Sequence, residues 1–117
     1  MAGDIEVNDG RVWTAAGWVF RNVIADTLPH IPLRGNENLL RALDAGFGEG
    51  KLEYVSLARV PPVEKRSFLK ALERAYAGRE AEGAVAFGDP QFYPGYMERF
   101  RELIEMVAAD AAGSDGG

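Results

Sequence analysis

The sequence predicts a small α+β domain in which two to four helices pack against one small, mainly antiparallel sheet. Two short β-prone segments near the N-terminus are separated by Asp9-Gly10, a dipeptide typical of two-residue hairpin turns. Two long segments in the second half repeat apolar residues at helical spacing. A hairpin followed by helices around one further strand is the element order of an α+β fold.

The N-terminal hairpin is predicted over residues 4–14. A two-residue loop would place Val7 opposite Val12, and Ile5 opposite Thr14. Both pairs would then share one face of the sheet, because alternate residues of a strand point to the same side.

The middle of the chain is predicted to hold weaker helices and the central strand. Residues 15–28 have helical spacing, although residues 18–20 could instead prolong the second strand of the hairpin. A short helix follows and stops at Gly46, since glycine adopts the left-handed conformation at low cost. Residues 51–60 carry apolar side chains on both faces, which is typical of a strand in the middle of a sheet.

A long helix is predicted to begin at Pro61-Pro62, since the first turn of a helix tolerates proline, and to end at Gly78. Its apolar stripe consists of Phe68, Leu69, Leu72, Ala75 and Tyr76.

The C-terminal part is predicted to contain a short strand at residues 84–87 and a second long helix at residues 95–111. Between them, Asp89 is placed to cap a brief helical turn at residues 90–93. Residues 112–117 are glycine-rich and are expected to be disordered.

Length and composition indicate one globular domain, residues 1–111, without a disulfide or metal framework. The chain has 117 residues, 47% of them apolar and 26% charged. The absence of cysteine excludes a disulfide framework, a thiolate zinc site, an iron–sulfur cluster and a cysteine nucleophile. No apolar run approaches the roughly 18 residues of a membrane helix, and residues 1–10 do not resemble a secretory signal. We therefore expect a cytoplasmic protein with no membrane partner.

The charge balance disfavours nucleic acid and favours a basic protein as partner. The chain has 18 acidic and 13 basic residues, a formal net charge of −5. Basic residues do not cluster into a patch that would neutralise phosphates. Complementary charge speeds the encounter of an acidic protein with a basic one.

The sequence contains no recognisable catalytic motif, and we expect neither an enzyme nor a cofactor or metal site. The glycine-rich segment 46–50 follows a helix and precedes a strand, the reverse of a phosphate-binding loop. His30 is the only histidine, and no serine lies in a G-x-S-x-G context. Pairs of carboxylates are too common among 18 acidic residues to indicate acid–base catalysis.

The most plausible binding surface combines acidic and aromatic side chains. Aromatic residues around Pro94 lie in irregular, acidic surroundings, and tyrosine offers contact area with a polar tip. The alternative is that these rings cover the edge of the core. The candidate partner-binding residues are Glu49, Glu53, Asp89, Tyr93 and Tyr96.

These observations predict a non-enzymatic protein-binding protein, concretely a bacterial immunity or antitoxin-type inhibitor that binds and blocks a basic toxin or effector domain. One alternative is a small ligand-binding or enzymatic domain with an apolar pocket. Another is a homodimeric structural subunit, which an exposed apolar helix face would indicate.

Overall fold

A computed structural model describes residues 2–48 and 50–116 and confirms the α+β fold class. Short 3-10 turns lie at Leu28–His30, Ala84–Ala86 and Pro90–Phe92. In this part of the chain the strands and helices are β1 (Ala2–Asn8), β2 (Arg11–Ala16), α1 (Gly17–Thr27), α2 (Glu37–Gly46), β3 (Tyr54–Ser56), α3 (Pro62–Glu82) and α4 (Tyr93–Gly116).

The sheet has the strand order β2-β1-β3, so the first strand of the chain occupies its centre. β1 pairs antiparallel with β2 over the longer ladder and parallel with β3 over the shorter one. The expectation that residues 51–60 form the central strand was wrong, because β3 is a three-residue edge strand. Its start follows Glu53, whose φ of 57° breaks the extended backbone.

The hairpin forms where the sequence predicted it, but its register is shifted. Glu6, and not Val7, lies opposite Val12, while Ile5 lies opposite Trp13. Shifting a register by one residue exchanges the two faces of a strand. Trp13 is consequently 2% exposed, whereas Val12 is 44% exposed.

A bulge between Glu6 and Asn8 produces this shift, because Val7 has no partner of its own in β2. The shift buries an indole ring in place of a valine, and the larger ring removes more apolar surface from water. The buried Trp13 Nε1 also donates a hydrogen bond of 2.9 Å to the carbonyl oxygen of Arg99 on α4.

Residues 18–20 belong to α1, so of the two predicted alternatives the helix is confirmed. α1 starts directly after β2 and turns back over the sheet. Gly3 of β1 permits this close approach, since a Cβ atom there would lie 2.3 Å from the Phe20 ring.

α3 is one turn longer than predicted, because it continues through Gly78 to Glu82. A single glycine inside a helix costs only about 1 kcal/mol, which the packing of a long helix outweighs. The helix stops instead at Gly83, which has a φ of 75°. The short strand expected at residues 84–87 is wrong, since a 3-10 turn occupies Ala84–Ala86.

α4 begins at Tyr93 and therefore includes Pro94 in its first turn, where proline loses no hydrogen bond. It continues to Gly116, beyond the end predicted near Ala111. The expected disorder of residues 112–117 stays a prediction.

The core lies between the sheet and the helices. Its largest fully buried side chains come from β1, from all four helices and from the residue after β3: Tyr96, Phe20, Phe68, Phe100, Ile5, Ile24, Leu39, Leu43, Leu57, Leu72, Leu103 and Val7. The opposite face of the sheet stays accessible, because Val12 and Tyr54 on that face are 44% and 46% exposed. None of the helices in the described residues combines the length and the apolar character needed to cross a membrane.

Candidate functional site

The first candidate surface is the uncovered face of the sheet, called here the open sheet face. Successive side chains of a strand point to opposite faces, so the residues between the buried positions of the three strands share this side. The open sheet face consists of Asp4, Glu6, Val12, Thr14, Tyr54 and Ser56. Two of these residues are acidic and none is basic.

Both carboxylates of the open sheet face are held in place by hydroxyl groups of neighbouring strands. Thr14 Oγ1 donates to Asp4 Oδ1 at 2.8 Å, and Ser56 Oγ donates to Glu6 Oε1 at 2.6 Å. Each bond joins β1 to one neighbour, so the central strand presents two fixed negative charges. Each carboxylate keeps unused lone pairs, because an ionised carboxylate has about four acceptor positions.

Tyr54 adds an aromatic ring beside these charges. Partial burial raises the pKa of its phenol, and the charge of Glu6, a hydrogen bond to Glu6 and the charge of Asp4 raise the pKa further. The phenol therefore stays protonated at neutral pH and remains a hydrogen-bond donor.

Glu53 lies just before β3, and its side chain is mostly engaged within the molecule. Its carboxylate forms an ion pair with Arg21 of α1, and the exposed fraction of the Glu53 side chain is only 13%. Its carbonyl oxygen accepts a hydrogen bond of 2.9 Å from the backbone N–H of Asp4. Glu49, the other glutamate of the predicted surface, lies outside the described residues.

The second candidate surface is a groove between α1 and the segment that leads into α4, called here the aromatic groove. Its volume is about 520 Å³. The Trp18 ring centroid lies 5.9 Å from that of Phe92 and 6.3 Å from that of Phe87, both in edge-to-face geometry. The groove is lined by Trp18, Asn22, Arg79, Phe87, Asp89 and Phe92.

Arg79, which lines the aromatic groove, forms an ion pair with Asp26. Arg79 donates from Nε to Asp26 Oδ2 at 2.7 Å and from Nη2 to Asp26 Oδ1 at 2.9 Å. Its guanidinium carbon lies 5.4 Å from the centroid of the Phe87 ring and 5.9 Å from that of Tyr96, within the range of cation–π contacts. A hydrogen bond to Asp26 raises the pKa of Arg79, and this outweighs the lowering by burial.

The structure places Tyr96 in the core instead of on the predicted partner-binding surface. Its side chain is 0% exposed, and its hydroxyl donates a hydrogen bond of 2.7 Å to Asp26 Oδ2. Burial and this bond to a carboxylate raise the pKa of Tyr96 well above its usual range. The reason for its burial is its position in the first full turn of α4, where the ring stacks beneath Trp18 at 5.9 Å.

Of the two other predicted residues of this region, Asp89 lines the aromatic groove, and Tyr93 packs against Phe87, which also lines it. Asp89 is exposed and accepts hydrogen bonds from the backbone N–H and the side-chain amide of Gln91, at 3.4 and 3.1 Å. It thereby caps the turn Pro90–Phe92, as the sequence predicted. Tyr93 is half-buried against Phe87, and its hydroxyl donates to the carbonyl oxygen of Arg79 at 3.3 Å.

The structure thus brings Asp89, Tyr93 and Tyr96 together and leaves Glu53 beside the open sheet face. The two acids of β1 were not among the predicted site residues, although they alternate with buried apolar residues at period two, which is a readable signal. Arg79 was not among them either, because a helix that ended at Gly78 would have left this arginine in the following loop.

No three histidine, aspartate or glutamate side chains cluster closely enough to hold a metal ion in residues 2–48 and 50–116. No protein-family model matches the chain, and neither does any curated protein or solved structure.

Proposed function

We propose that this chain is a non-enzymatic protein-binding protein that blocks a basic partner through the open sheet face. The observation that carries the proposal is the fixed pair of carboxylates, Asp4 and Glu6, on a sheet face that no helix covers. The concrete form is an immunity or antitoxin-type inhibitor of a partner toxin.

Electrostatics and pre-organisation both support this proposal. Two carboxylates without a basic neighbour on the same face attract a positively charged surface over a long range and speed the encounter. Because Thr14 and Ser56 already hold the carboxylates, little side-chain freedom is lost on binding. The exposed parts of Val12 and Tyr54 add apolar contact area between the charges.

The basic partner in this proposal is a toxin or effector domain whose cleft is built to bind nucleic acid. A face with two carboxylates occupies such a cleft by imitating the charge of phosphates. The proposal includes a cytoplasmic location, with which the absence of cysteine is compatible.

The test is an affinity capture from lysate of the source organism with the double variant Asp4→Asn, Glu6→Gln. These isosteric changes keep the hydroxyl hydrogen bonds and remove both charges. The matched control, Glu98→Gln with Glu105→Gln, removes the same charge from the exposed side of α4. Each preparation is compared at low and high salt.

We expect the native protein and the control to retain one basic protein in near-stoichiometric amount at low salt, and the double variant to lose it. Retention by the double variant equal to that of the control would contradict the proposal, and so would a complex of the native protein that high salt leaves unchanged.

A further inference from the structure

We infer that the aromatic groove receives the guanidinium group of an arginine side chain of a basic partner protein. The inference rests on the proposed function only for the source of that arginine. It concerns a different surface from the open sheet face and depends on its own set of contacts.

The first support is the accessible aromatic area. Trp18 and Phe92 are 36% and 51% exposed although their ring centroids are only 5.9 Å apart. Tryptophan gives the most favourable cation–π contact among the aromatic side chains. An exposed indole beside an exposed phenyl ring therefore offers a surface on which a flat cation can stack.

The second support is a guanidinium that the same aromatic cluster already holds. Arg79, one of the lining residues, lies over the rings of Phe87 and Tyr96. Its charge is matched by the two-point contact with Asp26. The aromatic cluster thus already binds the guanidinium of Arg79, whereas the exposed rings of Trp18 and Phe92 have no such cation over them in the described part of the chain.

The third support is the negative charge of Asp89 in the aromatic groove. The Arg79–Asp26 pair is neutral as a unit, whereas the exposed carboxylate of Asp89 accepts hydrogen bonds only from neutral groups of Gln91. The groove thus keeps one unmatched negative charge. A second guanidinium stacked on Trp18 and Phe92 would form an ion pair with Asp89, as Arg79 does with Asp26.

Arginine fits this site better than lysine does. The guanidinium is planar and only weakly hydrated, so it stacks on a ring and donates parallel hydrogen bonds to a carboxylate at the same time. An ammonium group is a compact charge that keeps its water more strongly.

The test uses a blocked Gly-Arg-Gly peptide and its twin in which citrulline replaces arginine, so that shape is kept and charge is removed. Binding is followed by nuclear magnetic resonance through the indole N–H signal of Trp18 and the side-chain amide signals of Asn22. We expect the arginine peptide to shift these signals and the citrulline peptide to bind about tenfold more weakly.

Two variants of exposed groove residues, Phe92→Leu and Asp89→Asn, should each weaken the arginine peptide several-fold and leave the citrulline peptide nearly unchanged. The control variant Leu33→Ala, at a residue that is 79% exposed and does not line the groove, should change neither affinity. Equal affinity for both peptides would overturn the inference and indicate a site for neutral apolar ligands. Unshifted Trp18 and Asn22 signals at saturating peptide would overturn it as well.

The peptide test and the capture test fail independently. Loss of arginine selectivity, with partner capture still dependent on Asp4 and Glu6, overturns the groove inference alone. Intact arginine binding, with capture indifferent to Asp4 and Glu6, overturns the proposed function alone.

Discussion

Lys65 and Asp110 form an ion pair of 3.0 Å between Nζ and Oδ2, although each side chain is only 8% exposed. Lys65 Nζ also donates to the carbonyl oxygen of Val7 at 3.1 Å, and Asn8 Nδ2 donates to Asp110 Oδ1. The pair therefore joins α3, α4 and the bulged end of β1 at one buried point.

Asp110→Ala should lower the free energy of unfolding by about 3 to 5 kcal/mol, because it leaves the buried ammonium group of Lys65 without its countercharge. The double variant Lys65→Met, Asp110→Leu removes both charges and should recover most of that loss. Denaturant unfolding measures the free energy of unfolding of both variants. A loss below about 1 kcal/mol in the single variant would show that water solvates the ammonium group of Lys65 in place of Asp110.

Glu64 makes the stability of the protein depend on pH in acid. It lies in the first turn of α3 and accepts hydrogen bonds from the Leu39 N–H at 2.9 Å and from Asn38 Nδ2 at 2.8 Å. It thereby caps α2, since Asn36 makes no side-chain capping bond. Burial acts to raise the pKa of Glu64, but these hydrogen bonds outweigh burial and hold the pKa below its usual value.

Because the pKa of Glu64 is lower in the folded than in the unfolded state, its stabilising contribution is complete above the unfolded value, about 4.3, and is lost as the pH falls through the folded value. Glu64→Gln should therefore flatten the acid limb of stability against pH. The measurement is urea unfolding at a series of pH values. The exposed substitution Glu105→Gln serves as the control, and an equal flattening in that control would refute the assignment.

Alanine substitutions at two helical glycines should change the stability of the protein in opposite directions. At Gly46 a Cβ atom would lie 1.8 Å from the carbonyl oxygen of Tyr54, so Gly46→Ala must displace β3 or α2 and should cost several kcal/mol. At Gly78 a Cβ atom would meet nothing within 4 Å, so Gly78→Ala should stabilise α3 by about 0.5 to 1 kcal/mol. Thermal unfolding of the two variants side by side tests this contrast.

The contrast also shows what could be predicted from the sequence. Gly46 and Gly78 look alike in the sequence, and both were expected to end helices. Only the packing of β3 against α2 distinguishes them, and that contact joins segments whose proximity no local pattern reveals. The helical stripes of α3 and α4 were predictable because their periodicity is local.

For the candidate surfaces too, local features could be predicted from the sequence and features set by packing could not. Asp89 was found because capping is a local property. The register of the hairpin could not be predicted in this way. The bulge at Val7 follows from the burial of Trp13, which the turn sequence does not reveal. Tyr96 was misplaced because aromatic spacing does not tell which ring lies beneath its neighbours.

Glu6→Gln should lower the pKa of Tyr54 toward its ordinary value, because it removes the charge that raises this pKa more than Asp4 does and weakens the hydrogen bond to the phenol. The ring signals of Tyr54 in a nuclear magnetic resonance titration at alkaline pH report this change. Glu102→Gln on α4, at a side chain that is 40% exposed and paired with Arg99, is the control. A Tyr54 titration that is identical in all three proteins would contradict the geometry of the open sheet face.

The central position of β1 in the sheet has a consequence for folding during synthesis on the ribosome. β1 is synthesised before the elements it contacts, since Glu6 bonds to Ser56, 50 residues later, and Asn8 bonds to Asp110, 102 residues later. The hairpin can form early and α1 can pack on it soon afterwards, but the buried face is completed only when α4 at the far end of the sequence packs on both strands. Protection of that face in the meantime falls to the growing helices or to a chaperone.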